Sequence, residues 1–143
     1  MWTGVKSHVI RKNGKTMAVN NPALIASHYA KCWGVNGQPK HWMAGPTWKL
    51  PPAFQVLVFP PFQQRRIWIY GTCGMSQESD AAAIELHLLS PIETDSHVEL
   101  LTAIAHYHWN GAHLGLNHTV NFGRPWLPGK WLRHWLRWPG FGP

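Results

Sequence analysis

Negative charge is nearly missing from most of this chain: among its 143 residues are six Asp and Glu against 13 Lys and Arg, and residues 1–77 hold no acid at all. Charged residues of both signs reach only 13%, about half of the ~25% usual in globular chains. Cysteine is equally scarce. Cys32 and Cys73 lie far apart with no C-x-x-C, so neither a disulfide framework nor a cysteine-based zinc site is indicated, and a reduced, cytoplasmic protein is the expectation. No apolar run reaches the ~18 residues that span a bilayer, which excludes an integral membrane protein. Met1 to Lys15 lacks the apolar stretch of a secretory signal. Phosphate-cradling glycine loops are missing as well, since neither G-x-G-x-x-G nor G-x-x-x-x-G-K-[ST] occurs.

The place of charge is taken by 10 Trp, 10 His, 13 Gly and 12 Pro, with a hydrophobic share of 45% that suffices for a packed core. The length suits one domain over residues 1–143. The net charge of +7 is sharply segregated. All six acids (Glu78, Asp80, Glu85, Glu93, Asp95 and Glu99) fall within residues 78–99, where no Lys or Arg occurs. Arg124, Lys130, Arg133 and Arg137 follow unopposed. Either the acidic segment folds against basic flanks, or an unneutralised basic face meets an acidic partner and speeds its encounter.

Residues 1–20 are polar and basic without a clear period and read as a weak strand or a mobile arm. Asn21-Pro22 then starts a helix over 22–33, with Asn as N-cap, Pro at the first helical position and Gly34 as the stop. Its apolar face is read as Leu24, Ile25, His28, Tyr29 and Cys32. Residues 34–53, rich in Gly, Pro and Trp, are expected to form an irregular loop. Three strand-like runs follow: Phe54 to Phe59, Arg65 to Tyr70, and Ala83 to Leu89, the last with Ile84, Leu86 and Leu88 on one side and Glu85 and His87 on the other. The short Pro-rich link between the first two points to an antiparallel meander. A second helix follows, with Ser96 and Glu99 at capping-box spacing and Asp95 adding negative charge where the helix dipole favours it, and its apolar face ends at Asn110-Gly111. Its buried face is Leu100, Leu101, Ile104, Ala105 and His108. Thr119 to Phe122 reads as one more short strand. Segregated helices and hairpin strands give the fold class: α+β, an antiparallel or mixed sheet with helices packed against it.

Catalytic constellations are poor. His106 and His108 are two apart on a helix, so they point about 200° away from each other and cannot chelate one ion. Cys73 and Ser76 sit beside glycines after a strand, but Gly74-Met75-Ser76 lacks the G-x-S-x-G elbow. No carboxylate pair is recommended by spacing. The chain is therefore expected to be no enzyme, with neither cofactor nor metal. Near the C-terminus, Trp131, Trp135 and Trp138 recur at i, i+4 and i+7 with Arg133 and Arg137 turned away. This segment suits a membrane surface, a partner groove, or a fold-back over the sheet.

Five segments occur in a telling order: Leu50 to Pro61 (LPPAFQVLVFPP), Tyr70 to Ser76 (YGTCGMS), Ile84 to Ser90 (IELHLLS), Glu99 to His108 (ELLTAIAHYH) and Asn117 to Gly123 (NHTVNFG). This arrangement, over residues 28–128, resembles the bacterial suppressor-of-fused-like domain family. The resemblance implies a compact α+β domain that binds protein without catalysis. Its bacterial members look like immunity proteins of polymorphic toxin systems, which bind and block a co-produced toxin. After Pro128 the chain departs from the family pattern, and residues 129–143 form a divergent Trp/Arg-rich tail.

The expected function is thus an immunity (antitoxin) protein that occludes a cognate bacterial toxin, through an acidic face of that toxin if the basic balance of this chain is used. Occlusion calls for aromatic or Arg anchors in an interface of about 1,200–2,000 Å². Trp42, Trp48, Trp68, Trp126 and the tail tryptophans are a surplus of such anchors. The partner-binding residues expected are Arg65, Arg66, Trp68, His118, Arg124 and Trp126. The alternative is a nucleic-acid-binding module that combines basic residues with stacking aromatics.

Overall fold

The computed structural model describes residues 21–45, 47–76, 84–111, 113–115 and 118–121. The first element is helix α1, Pro22–Trp33, and the local signals set both of its ends. The Asn21 side chain accepts the Ala23 N–H at 3.0 Å. At the other end Gly34 takes the left-handed conformation (φ 73°) and its N–H closes onto the Ala30 carbonyl.

Four strands follow in sequence: β1 (Gln38–Lys40), β2 (Gln55–Phe59), β3 (Trp68–Cys73) and β4 (His87–Ser90). They form one antiparallel sheet in the order β1-β2-β3-β4. The meander expected from the three apolar runs is present. Helix α2, Asp95–Asn110, then packs across the sheet. The fold is α+β.

The register assigns the two faces. Val56, Val58 and Tyr70 join Val98, Leu101, Ile104 and Ala105 of α2 in one core. Leu57, Phe59, Ile69 and Cys73 point the other way and meet Tyr29, Ile25 and Trp33 of α1. Helices on both faces explain why β2 reads as an unbroken apolar run rather than an alternation.

Several expectations change. β1 lies inside the segment read as irregular; its three residues pair with Val56, Leu57 and Val58. The α1 face is rotated from the one expected: Tyr29 is buried and Ile25 and Trp33 pack inward, whereas Leu24, His28 and Cys32 are exposed. Helix α2 starts earlier than a Ser96 cap would allow, because Thr94 is the N-cap and its hydroxyl accepts the Ser96 N–H. Thr119, Val120 and Asn121 are not in a strand. Glu85 and His87, placed on a polar side by alternation, are both buried. The arm at 1–20, Phe122 and the tail at 129–143 lie outside the described residues.

The link between β2 and β3 is tied by its own side chain. Phe62 and Arg65 form an isolated bridge, and the Arg65 guanidinium donates to the carbonyls of Pro60 and Ile67.

Candidate functional site

Beyond Lys40 the chain leaves the sheet edge and runs over the flank of α2. Trp42 is half-buried and packs on the α2-side core. Gly45, at φ 82°, turns the backbone where a side chain would be strained, and a 3-10 turn, Thr47–Lys49, follows. Leu50, buried, and Phe54 anchor the far end in the same core.

This path leaves an open groove. One lobe, of about 510 Å³, is lined by Lys40, His41, Trp42, Met43, Asp95 and Val98. A second, of about 340 Å³, is lined by Trp42, Met43, Trp48, Pro51, Pro52 and Thr102. His41, Trp42 and Met43 form the wall common to both. Met43 is 83% exposed and Trp48 78% exposed. Two large apolar side chains standing in water beside a groove with a fixed Trp floor are the pattern of a contact surface.

The rim is electrostatically held. The Lys40 ammonium donates to Glu93 Oε1 and Asp95 Oδ1, each at 3.1 Å. These two hydrogen bonds raise the Lys40 pKa above its ordinary value. The acidic segment therefore does fold against a basic flank here, and joins β1 to the start of α2. The Thr94 N–H donates to the Tyr70 hydroxyl at 2.8 Å, which fixes the same corner to β3.

A second polar cluster sits at the end of β3, and its groups are committed to the fold. Glu85 Oε2 accepts from the Thr72 hydroxyl at 2.7 Å. Its Oε1 accepts from the N–H groups of Gly74 and Met75, both at 3.0 Å, and of Ser76 at 3.4 Å. Burial pushes the Glu85 pKa up, opposed by these donors. The Ser76 hydroxyl donates to the Ile84 carbonyl at 2.7 Å, and the Cys73 thiol to the Pro22 carbonyl at 3.3 Å. Burial and the nearby Glu85 charge push the thiol up to about 11. The Gly-Met-Ser turn is thus a backbone cradle filled by a carboxylate of the same chain.

The histidines divide by environment. His108 Nδ1 accepts the Leu114 N–H at 2.8 Å. His87 lies edge-on to Tyr29 and Trp33, at centroid distances of 4.8 and 5.0 Å. Desolvation, with the charge of His28, lowers its pKa to about 4.

The six residues expected to bind a partner are dispersed. Arg65 spends its guanidinium on the β2–β3 link. Arg66 is exposed. Trp68 is half-buried and packs on the α2-side core. His118 is exposed and accepts the Gly115 N–H through Nδ1 at 3.1 Å. Arg124 and Trp126 lie outside the described residues. Among the described tryptophans, Trp42 and Trp48 are brought to one groove. Met43 carried no distinguishing signal in the sequence.

Comparison with known proteins gives one informative likeness. A crystal structure at 1.40 Å of a protein described as a SUFU (suppressor of fused protein) homolog from Neisseria gonorrhoeae matches with a TM-score of 0.59 and 29% identity. The match covers 77% of this chain and 59% of that one, so the present chain corresponds to little more than half of its neighbour. No family model and no curated protein matches. The fold is suppressor-of-fused-like. Among the described residues, no helix is long and apolar enough to cross a membrane.

Proposed function

We propose that this chain is a non-catalytic binding domain of the immunity type, which covers a cognate bacterial toxin in the cytoplasm and so blocks it. One observation carries the reading: the groove between residues 40–52 and α2, with Met43 and Trp48 exposed at its edge. The suppressor-of-fused-like fold supports it. So does the commitment of Glu85, Cys73 and Ser76 to hydrogen bonds within the fold.

The physics is that of a preorganised surface. Trp42 is held by the core, so an apolar side chain entering the groove meets a fixed wall and little ordering cost is incurred on binding. Trp48 and Met43 then close over it. Lys49 follows Trp48 on the same short turn and is exposed, and Lys31 and Arg66 are exposed elsewhere. With a net charge of +7, these favour a partner with an acidic face.

The test is a calorimetric titration with the protein encoded next to this gene, run at low and high salt, beside an equal titration with single-stranded oligonucleotides. The reading expects saturable heat with the protein, less dependent on salt than oligonucleotide binding, and a loss of about 2 kcal/mol or more of binding energy in Trp48→Ala. Binding to the oligonucleotide alone, falling steeply as salt rises, would replace this reading with a nucleic-acid-binding module.

A further inference from the structure

The groove does not share the charge of the chain. The overall balance is +7, yet the first lobe opens beside two carboxylates and one ammonium. Asp95 lines that lobe with Lys40, Trp42, Met43 and Val98, and Glu93 meets Asp95 on the same Lys40 ammonium. We propose, on the binding reading above, that this lobe receives an arginine side chain of the partner, with the guanidinium laid against Trp42 and paired with Asp95.

Charge complementarity selects the sign. Lys40 takes Oε1 of Glu93 and Oδ1 of Asp95, which leaves Glu93 Oε2 and Asp95 Oδ2 without a donor among the described residues. Two carboxylates against one ammonium leave a surplus of one negative charge. Helix α2 starts at Asp95, and its positive end offsets roughly half a charge. The mouth of the lobe therefore stays negative and draws a cation. The Asp95 side chain is 70% exposed, so that cation can reach it.

The neighbours select arginine. An ion pair at so exposed a carboxylate contributes little by itself. Trp42 supplies the second contact, half-buried and held by the α2-side core. A guanidinium is planar and weakly hydrated, so its face stacks on an indole while its edge forks onto a carboxylate. The compact, strongly hydrated ammonium of lysine does this poorly. The arginine stem finds apolar walls in Met43 and Val98. Among the described residues no acid lines the second lobe, and Lys49 lies on its turn. The two lobes thus read different side chains, and the difference sets the direction in which a partner segment lies.

The probe is N-acetyl-arginine methylamide, titrated into the full chain with isotope-labelled methionine methyl groups. Met43 lines the lobe and is exposed, whereas Met75 is fully buried and reports the fold. The Met43 signal, assigned by its loss in Met43→Leu, should shift to saturation at millimolar concentration while Met75 stays in place. The citrulline analogue, which keeps the shape and lacks the charge, should bind about tenfold more weakly. Asp95→Asn should weaken arginine binding about threefold, and Asp95→Lys should abolish it. Asp95 is exposed, so neither change removes a core contact. No shift of Met43, an equal response to the citrulline or lysine analogue, a response to the glutamate analogue in its place, or unchanged affinity in the Asp95 variants would each overturn the assignment. The binding reading is judged separately, by the titration with the product of the adjacent gene. Binding there without an arginine response here sinks this inference alone, and the reverse outcome sinks the toxin partner alone.

Discussion

The two faces of the sheet solve burial differently. Against α2 the packing centres on aliphatic side chains: Leu101, Ile104, Ala105, Val56 and Val58 meet, with Phe54 and Tyr70 in the same core, and eight residues of α2 are buried. Against α1 the packing is aromatic and polar: Tyr29 is the one buried residue of the helix, set among Trp33, Phe59 and His87. The α2 face should set global stability. Both sides bury titratable rings, His97 on α2 and His87 against α1, and the His87 ring, set edge-on to Tyr29 and Trp33, should carry most of the response of stability to pH.

The largest effect expected falls on the α2 face. Leu101 is fully buried, so Leu101→Ala should cost about 2–5 kcal/mol in thermal or urea unfolding. A loss below 1 kcal/mol there would break the contrast between the faces.

The next belongs to His87. Its unfolded imidazole takes up a proton near pH 6.5, whereas the folded one does so only at about 4. Between those values the unfolded state holds more protons, so stability falls as pH is lowered, by roughly 3 kcal/mol in all. His97, lowered by burial, acts in the same direction. Glu85 acts oppositely: its raised pKa contributes stability that is present in acid and lost as pH rises through the folded value. Comparison with His87→Leu isolates the histidine. The stability advantage of the native chain over that variant should shrink from pH 6.5 to 4; a constant difference would contradict the assignment.

Smaller still is Tyr29→Phe. It deletes the hydroxyl that donates to the Thr72 carbonyl and should cost about 0.5–1.5 kcal/mol. The smallest effect on stability is expected of Trp48→Ala, within about 0.5 kcal/mol, since the side chain is 78% exposed. A large loss of stability there would mean that Trp48 supports the fold rather than a contact.

What was legible in the sequence follows the range of the interactions involved. Helix α1 was readable because its signals are local: Asn21, Pro22 and Gly34 act within four residues of its ends. The five inward residues of α2 were readable from a strong 3.6-residue period. β1 was not, since Gly37 and Pro39 look like loop residues and the pairing with β2 is settled by contacts about 20 residues away. Gly37 is there for a reason the sequence hides: a Cβ would lie 2.5 Å from the buried Phe59 ring. Glu85 was misplaced because alternation treats a carboxylate as a solvent marker, while its donors are backbone N–H groups that no pattern displays. The groove was half legible. A surplus of tryptophan was plain, but which two converge depends on how residues 40–52 cross α2.

The most direct measurement is amide hydrogen exchange on the chain alone and in the presence of the proposed partner, the product of the adjacent gene. The account predicts that protection gained on binding concentrates at residues 40–49 and the first turns of α2. Protection confined to other parts of the chain, with the stretch from Lys40 to Lys49 exchanging as fast as in the unbound protein, would contradict it.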